Sequence, residues 1–242
     1  MSDTGTRGIG RRAKRLSTGV VVVQPKRPST KSLLLDTAEL LFARYGLEGI
    51  SLREIGMAAG QANPNVVQYH FEDKAGLINA ILVDRVKRMD EMRGEQLNRL
   101  KKSEHKDTKK ILRILWSPWI ELKASDQSHA FCRFFLQYII HSDIARHPVF
   151  GHLASNDHLG PREPILQRDY PYIIKIMSLL REQFKTMPDH LFARRIRWLS
   201  MMFFSALSEH DYKHFHDQDI ENSEFDIEPI LDMAFGALRA PF

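Results

Sequence analysis

At 242 residues the chain has length for one large domain, or for a small domain joined to a larger one. Apolar residues make up 43% and charged residues 27%, which excludes a fibrous or wholly disordered chain and leaves a soluble globular protein with a sizeable core. Trp198 to Leu207 is too short to cross a bilayer and Val20 to Val23 too short for a signal-peptide core, so a cytoplasmic protein with no membrane segment is expected.

The net charge of +5 is unevenly placed: residues 1 to 28 carry seven basic side chains against one acid, Asp3, and so hold +6, leaving −1 for the other 214 residues. This Gly-, Ser- and Thr-rich segment cannot bury enough apolar surface to fold alone, and it is expected to be a disordered basic arm able to track phosphates. A solvated leader with no role, a loose membrane-surface contact, and strand pairing through the valine run are its alternatives.

In chain order, Leu34, Ala38, Leu41, Phe42 and Tyr45 form one apolar face of a helix that Ser29 or Thr30 caps and Gly46 ends. Ser51 and Glu54 then make a capping box that opens a short second helix, with Leu52, Ile55, Ala58 and Ala59 turned to a core and a stop at Gly60. Small Ala58 and Ala59 would admit a close helix neighbour. After Gly60, Asn63 suits an N-cap and Pro64 the first position of a third helix. At 100 degrees per residue, Val66, Val67, His70 and Phe71 share its inner side, while Asn65, Gln68 and Tyr69 share the outer one. Asp73 caps a long fourth helix carrying Leu77, Ile81, Leu82, Val86 and Met89, which links two parts of the chain and gives way to a highly charged stretch toward Lys110. Further helices are expected over 108 to 124, 128 to 145, 171 to 186, 189 to 215 and 227 to 239, with a broken Gly/Pro/His-rich region from 147 to 170. No segment alternates with period two, so the fold is expected to be all-α. Cys132, the single cysteine, excludes an internal disulfide and a cysteine-based zinc site and reads as a small core residue beside Phe131 and Phe134.

Two short helices joined by a glycine turn form a helix-turn-helix. Its outer residues suit DNA: asparagine and glutamine present donor and acceptor together to an adenine edge, and tyrosine offers a hydroxyl to phosphate and an apolar face to a thymine methyl. Arg53 on the second helix and Lys74 on the fourth are placed to grip flanking phosphates. Each residue also has a plainer reading: Asn65 and Gln68 as solvated polar residues, Asn63 as a cap alone, His70 as a packed or capping histidine.

At these residues the sequence resembles the tetracycline-repressor (TetR) family of bacterial transcriptional regulators. Members show a threonine or serine followed by an Ile-Ala-x-x-Ala-Gly helix, a short turn, and a recognition helix ending Tyr-x-His-Phe-x-Ser/Asp-Lys. The counterparts are Ser51, IGMAAG (Ile55 to Gly60) and QYHFEDK (Gln68 to Lys74), within a likeness that spans about residues 30 to 85. Gly60 to His70 is one residue longer than in common members, Gln68 replaces the usual first tyrosine, and Pro64 with Asn65 occupies the turn. The resemblance implies Gln68, Tyr69 and His70 as groove or phosphate contacts and Lys74 as a phosphate contact; Arg53, Asn63 and Asn65 join them by position. It also implies an N-terminal helix-turn-helix three-helix domain joined by a long helix to a larger helical ligand-binding and dimerisation domain. The expected division is an arm over 1–28, a DNA-binding domain over 29–75 and an effector-binding and dimerisation domain over 76–242. The function implied is a homodimeric repressor on a palindromic double-stranded DNA operator, released by a small-molecule effector.

The C-terminal half permits this. Phe192, Ile196, Leu199, Phe203 and Ala206 form one stripe with Arg195, Trp198 and Met202 beside it, so that helix is apolar on more than one side. With Ile227, Ile230, Leu231, Ala234 and Leu238 it would build a four-helix interface across a two-fold axis, or be buried within one chain. Trp119, Phe135, Tyr138 and Met202 are the candidate lining of a pocket for an apolar or aromatic effector, against the commoner reading of aromatic stripes as core. The rival is a helical metal-dependent enzyme using the His/Asp-rich helix ends, where His210 and His214 lie one turn apart and Asp126 with His129 and Asp211 with His214 repeat an acid-x-x-His spacing. No Glu-x-x-His and no hydrolase, phosphate-loop or dinucleotide fingerprint occurs. The expectation is therefore no catalytic residue, no metal and no cofactor.

Overall fold

A computed structural model of the chain describes residues 28–141, 168–216 and 224–241, with side chains as far as Tyr212 in the second stretch. The basic arm with Val20 to Val23, and most of the Gly/Pro/His-rich region, lie outside the described residues.

Helix α1 spans Thr30–Tyr45, its start capped by Ser29 Oγ accepting from Ser32 N at 3.1 Å and its end at Gly46. Leu34, Ala38 and Phe42 are fully buried, but Tyr45 is exposed. The buried face turns instead toward Leu35 and Ala43, because the C-terminal half of the chain packs there. Helix α2, Leu52–Ala58, carries the predicted capping box, and α3 spans Val66–Phe71. Ala58 is exposed, and the residue that admits α3 is Gly56, where an added Cβ would lie 3.3 Å from Val66 Cγ1. Helix α4, Lys74–Arg99, opens where Asp73 Oδ1 accepts from Gly76 N at 2.7 Å and buries all five residues assigned to its apolar face. It ends before the charged stretch, which forms a short 3-10 turn over Lys102–Lys106.

The remaining helices are α5 (Thr108–Glu121), α6 (Ala130–His141), α7 (Pro171–Gln183), α8 (Asp189–His216) and α9 (Glu228–Arg239). Where both ends are described they fall within three residues of the expected bounds. The described residues are helical and irregular with no strand, so the all-α expectation holds.

In the larger helical region α5 is central, packing on α4, α7, α8 and α9. Polar anchors set the register. Asp90 of α4, buried, accepts from Tyr172 N (3.1 Å) and Ile173 N (2.7 Å) and so caps α7, whose Tyr172 ring lies against Gly94. Buried Arg93 donates from Nε and a terminal nitrogen to Leu115 O on α5. Arg85 of α4 meets Glu39 and Asp36 of α1 at 2.6 Å each and Asp84 at 2.7 Å. Its buried guanidinium would be costly alone; three carboxylates and their hydrogen bonds compensate for its lost hydration.

The N-terminal helices are not carried by α4 alone. The most extensive packing of α1 is with α6, where Phe42 and Phe134 stack at 6.0 Å and the Ala43 carbonyl accepts from Arg133 (3.1 Å) and Gln137 (3.4 Å).

Candidate nucleic-acid interface

Local sequence builds this surface. Ser51 Oγ accepts from Glu54 N at 3.3 Å while Glu54 Oε2 accepts from Ser51 N at 2.8 Å and Ser51 Oγ at 2.6 Å, so the first turn of α2 satisfies its own amides. The Ser51 side-chain and backbone hydrogen bonds hold the Glu54 carboxyl below its ordinary range. At the other end Gly60 takes φ +68, Gly60 N donates to Met57 O (2.9 Å) and Gln61 N to Gly56 O (3.1 Å). This pair of bonds around a left-handed glycine is a Schellman ending, which stops α2 and throws the chain into the turn.

Asn63 begins that turn by accepting from Asn65 N through Oδ1 (3.0 Å), with Val66 N bonded to Asn63 O at 3.2 Å. The regular helix starts at Val66 with Asn65 at the N-cap, two residues later than Asn63 and Pro64 were expected to open it. The difference is one tight turn, in which Asn63 caps a bend and Pro64 and Asn65 are turn residues. Helix α3 is then seated by Val66, Val67 and Phe71, all buried against α2 and α4, and His70 is half-buried at the seam.

This seating leaves Asn63, Asn65, Gln68 and Tyr69 exposed, Tyr69 at 82%, and Arg53 exposed on α2. Tyr69 meets the His70 ring edge-on at 5.1 Å, which restricts both. The predicted outer residues therefore share one open surface. Lys74 is held differently: its Nζ donates to Leu47 O at 2.9 Å, tying the start of α4 to the α1–α2 connection. Arg133 and Gln137, which hold α1 from α6, had no local signal, since they lie 90 and 94 residues from Ala43.

The candidate pocket residues sit elsewhere. Trp119 and Phe135 are buried in a stack of rings, with Trp119 5.1 Å from both Phe131 and Phe135 and 4.5 Å from Phe204. Tyr138 and Met202 are half-buried on α6 and α8. A shallow cleft of about 530 Å³ lies between α1 and the start of α6, lined by Leu40, Ala43, Arg44, Asp126, Ser128, Ala130, Arg133 and Tyr212, none of them a candidate pocket residue. Of the acid-x-x-His spacings, Asp126 accepts from Ser128 N and Oγ in a local turn while His129 pairs with Asp211 across 82 residues, and the spacing of Asp211 with His214 falls partly outside the described residues, because the His214 side chain does.

Among the described residues no helix is long and apolar enough to cross a membrane. No curated protein matches the chain. Residues 34–81, which run from the first buried residue of α1 through the helix-turn-helix to Ile81 of α4, match the family model of bacterial regulatory proteins, tetR family. The matched segment contains every element that seats α3 and displays its outer face, so the chain carries a tetR-family N-terminal domain, and that domain supports a DNA-binding transcriptional regulator.

Proposed function

We propose that the protein is a homodimeric, ligand-responsive repressor, active in the cytoplasm, that places α3 of each subunit in successive major grooves of a near-palindromic operator. The observation that carries the reading is the open face of α3. Asn65, Gln68 and Tyr69 stand outward on a helix whose other side is fixed by Val66, Val67 and Phe71. Gln68 and Asn65 read base edges, Tyr69 packs on a thymine methyl or reaches a phosphate, and Arg53, Asn63 and His70 contact the flanking backbone. Lys74 approaches a phosphate with the ammonium hydrogens that Leu47 does not use. The arm of residues 1–28, the DNA-binding unit of 29–75 and the effector and dimer unit of 76–242 follow as the functional division.

Dimerisation is assigned to the outer faces of α8 and α9. Trp198 (58%) and Met233 (54%) are exposed there, with Met201 and Met202 half-exposed beside Trp198. An added Cβ at Gly236, one turn after Met233, would meet no described atom within 4 Å, so no described residue packs on this glycine, a residue that weakens a helix interior. A partner helix crossing at that glycine would. Ile230, Leu231, Ala234 and Leu238, expected across the two-fold axis, are instead buried within the chain because that stripe packs on α5 and α8.

An apolar or aromatic effector between α6 and α8 would meet Tyr138 and Met202 and part the Trp119 and Phe135 stack. Since α6 holds α1, displacing α6 moves α3, and the shift is limited by the difference in effector affinity between the two arrangements. Selection of bound duplexes from a random library at physiological salt tests the whole reading. A palindrome with half-sites roughly 34 Å apart, or somewhat more, is expected; recovery of no sequence preference overturns it. On the selected site Tyr69→Ala and Gln68→Ala each weaken binding by about 1–3 kcal/mol without loss of fold, and unchanged affinity removes that residue from the interface.

A further inference from the structure

Among the described residues, His129, His210 and Asp211 bring one ligand atom each within 4.8 Å of the others. His129 precedes α6, and both its ring nitrogens are engaged. Nε2 lies 3.1 Å from Ile120 O and Nδ1 lies 2.5 Å from Asp211 Oδ1. With Nε2–H donating to the Ile120 carbonyl, Nδ1 turns its lone pair toward the Asp211 carboxylate and a cation between the two atoms satisfies both; in the other tautomer Nδ1–H donates to Asp211 directly.

Three further features favour the cation. An imidazole whose far N–H is anchored on a backbone carbonyl is oriented as metal-bound histidines are. The Asp211 carboxylate is fixed by its second oxygen, which accepts from His129 N at 2.8 Å, so Oδ1 is presented rather than free to swing. His210 adds a third donor, its ring centroid 6.2 Å from that of His129. Its imidazole completes a two-nitrogen, one-oxygen ligand set.

We propose that His129, His210 and Asp211 bind a borderline divalent cation, Zn²⁺ by preference, which takes the place of the proton between His129 and Asp211. Two imidazoles and a carboxylate select Zn²⁺, Co²⁺ or Ni²⁺ over Mg²⁺ and Ca²⁺. Ligand distances of about 2.0–2.2 Å separate tetrahedral ligand atoms by roughly 3.4 Å, so the His129–Asp211 contact opens by about an ångström and the His210 ring closes in. Water fills the fourth position. The site fastens the start of α6 to α8, and Arg133, one turn beyond His129, is the residue that donates to Ala43 O of α1. Occupancy thereby fixes where the DNA-binding helices sit; this consequence rests on the regulator reading above, whereas the site itself does not.

The test uses the full chain stripped with a chelator and titrated with Co²⁺, then Zn²⁺. One Co²⁺ per chain with the intense visible bands of a tetrahedral site is expected, and Zn²⁺ displaces it with loss of those bands. His210→Asn, which leaves the His129–Asp211 contact intact, weakens binding by roughly tenfold or more with the melting temperature of the stripped protein unchanged; His190→Asn, an exposed histidine on the same helix, changes neither. Absence of the tetrahedral spectrum, or wild-type affinity in His210→Asn, overturns the proposal and leaves a hydrogen-bonded His129–Asp211 pair. Duplex binding by stripped and Zn²⁺-loaded protein is measured beside it: no binding in either form counts against the regulator reading and leaves the cation result standing.

Discussion

At Gly60 the backbone stands at φ +68 and an added Cβ would meet nothing within 4 Å, so the demand for glycine is conformational, not steric. Gly60→Ala is expected to cost about 1 kcal/mol, the price of a left-handed non-glycine residue, seen as a lower urea midpoint at unchanged slope. Glu39 illustrates a different balance. Burial raises its carboxyl above the ordinary 4.5 by more than the adjacent Arg85 guanidinium lowers it. The folded state therefore takes up this proton before the unfolded chain does as pH falls. The associated stabilisation is complete below the ordinary value and is lost as pH rises through the raised one. Wild type should gain stability relative to Glu39→Gln as the pH of denaturation is lowered toward the ordinary carboxylate value; a gap between the two proteins that does not change with pH contradicts this. Cys132, whose Sγ lies 3.5 Å from Phe204 O, has its thiol pushed far up by burial, with the nearby Asp211 charge adding to the effect. The core assignment made from its apolar neighbours is the right one.

Among the elements, α3 is too short to be helical on its own account. Its six residues persist because Val66, Val67 and Phe71 are seated between α2 and α4. Those three residues, the capping box and the glycine stop are local patterns, legible in the order of the amino acids. The two-residue delay in the helix start is not, since Asn63 and Asn65 are equally good caps by type and the choice depends on how far the chain must travel from Gly60 to reach the α2–α4 groove. Helix α7 shows the converse case, a helix with no side-chain cap of its own. Asp90, 82 residues away from Tyr172, supplies it from α4. Asp90→Ala leaves the buried Ile173 amide and the half-buried Tyr172 amide without an acceptor and is expected to destabilise by about 2 kcal/mol, with amide exchange accelerating first at Tyr172 and Ile173. Protection unchanged at those amides would show that another group takes over the cap.

For the whole molecule the decisive contacts are those of α6, which packs on α1 at one side and α8 at the other. The sequence singled out α4 as the link between two parts of the chain because it is long and continuous, and Arg133 and Gln137 give α6 a second, direct hold on the carbonyl end of α1. Assembly belongs at this scale too. Trp198→Glu and Met233→Glu, placed on exposed positions, should leave the helical fold and its melting largely intact while shifting the protein from dimer to monomer by analytical ultracentrifugation. Operator affinity should fall with it, because two half-sites are no longer read by one particle. A double variant that remains dimeric would move the interface off α8 and α9.

Helical periodicity, caps and the glycine stop depend on residues within four positions of one another, so the amino-acid order alone determined the all-α class, the helix-turn-helix and the outward set Asn65, Gln68 and Tyr69. Which of several apolar stripes faces the interior and which faces out is a property of the neighbour, not of the helix. Only the tertiary structure could therefore bury Ile230 and Leu231 within the chain, leave Trp198 and Met233 bare, close Trp119 and Phe135 into a stack, and set His129 against Asp211. Each of these joins residues that chain order separates widely, and nothing in local spacing records that meeting.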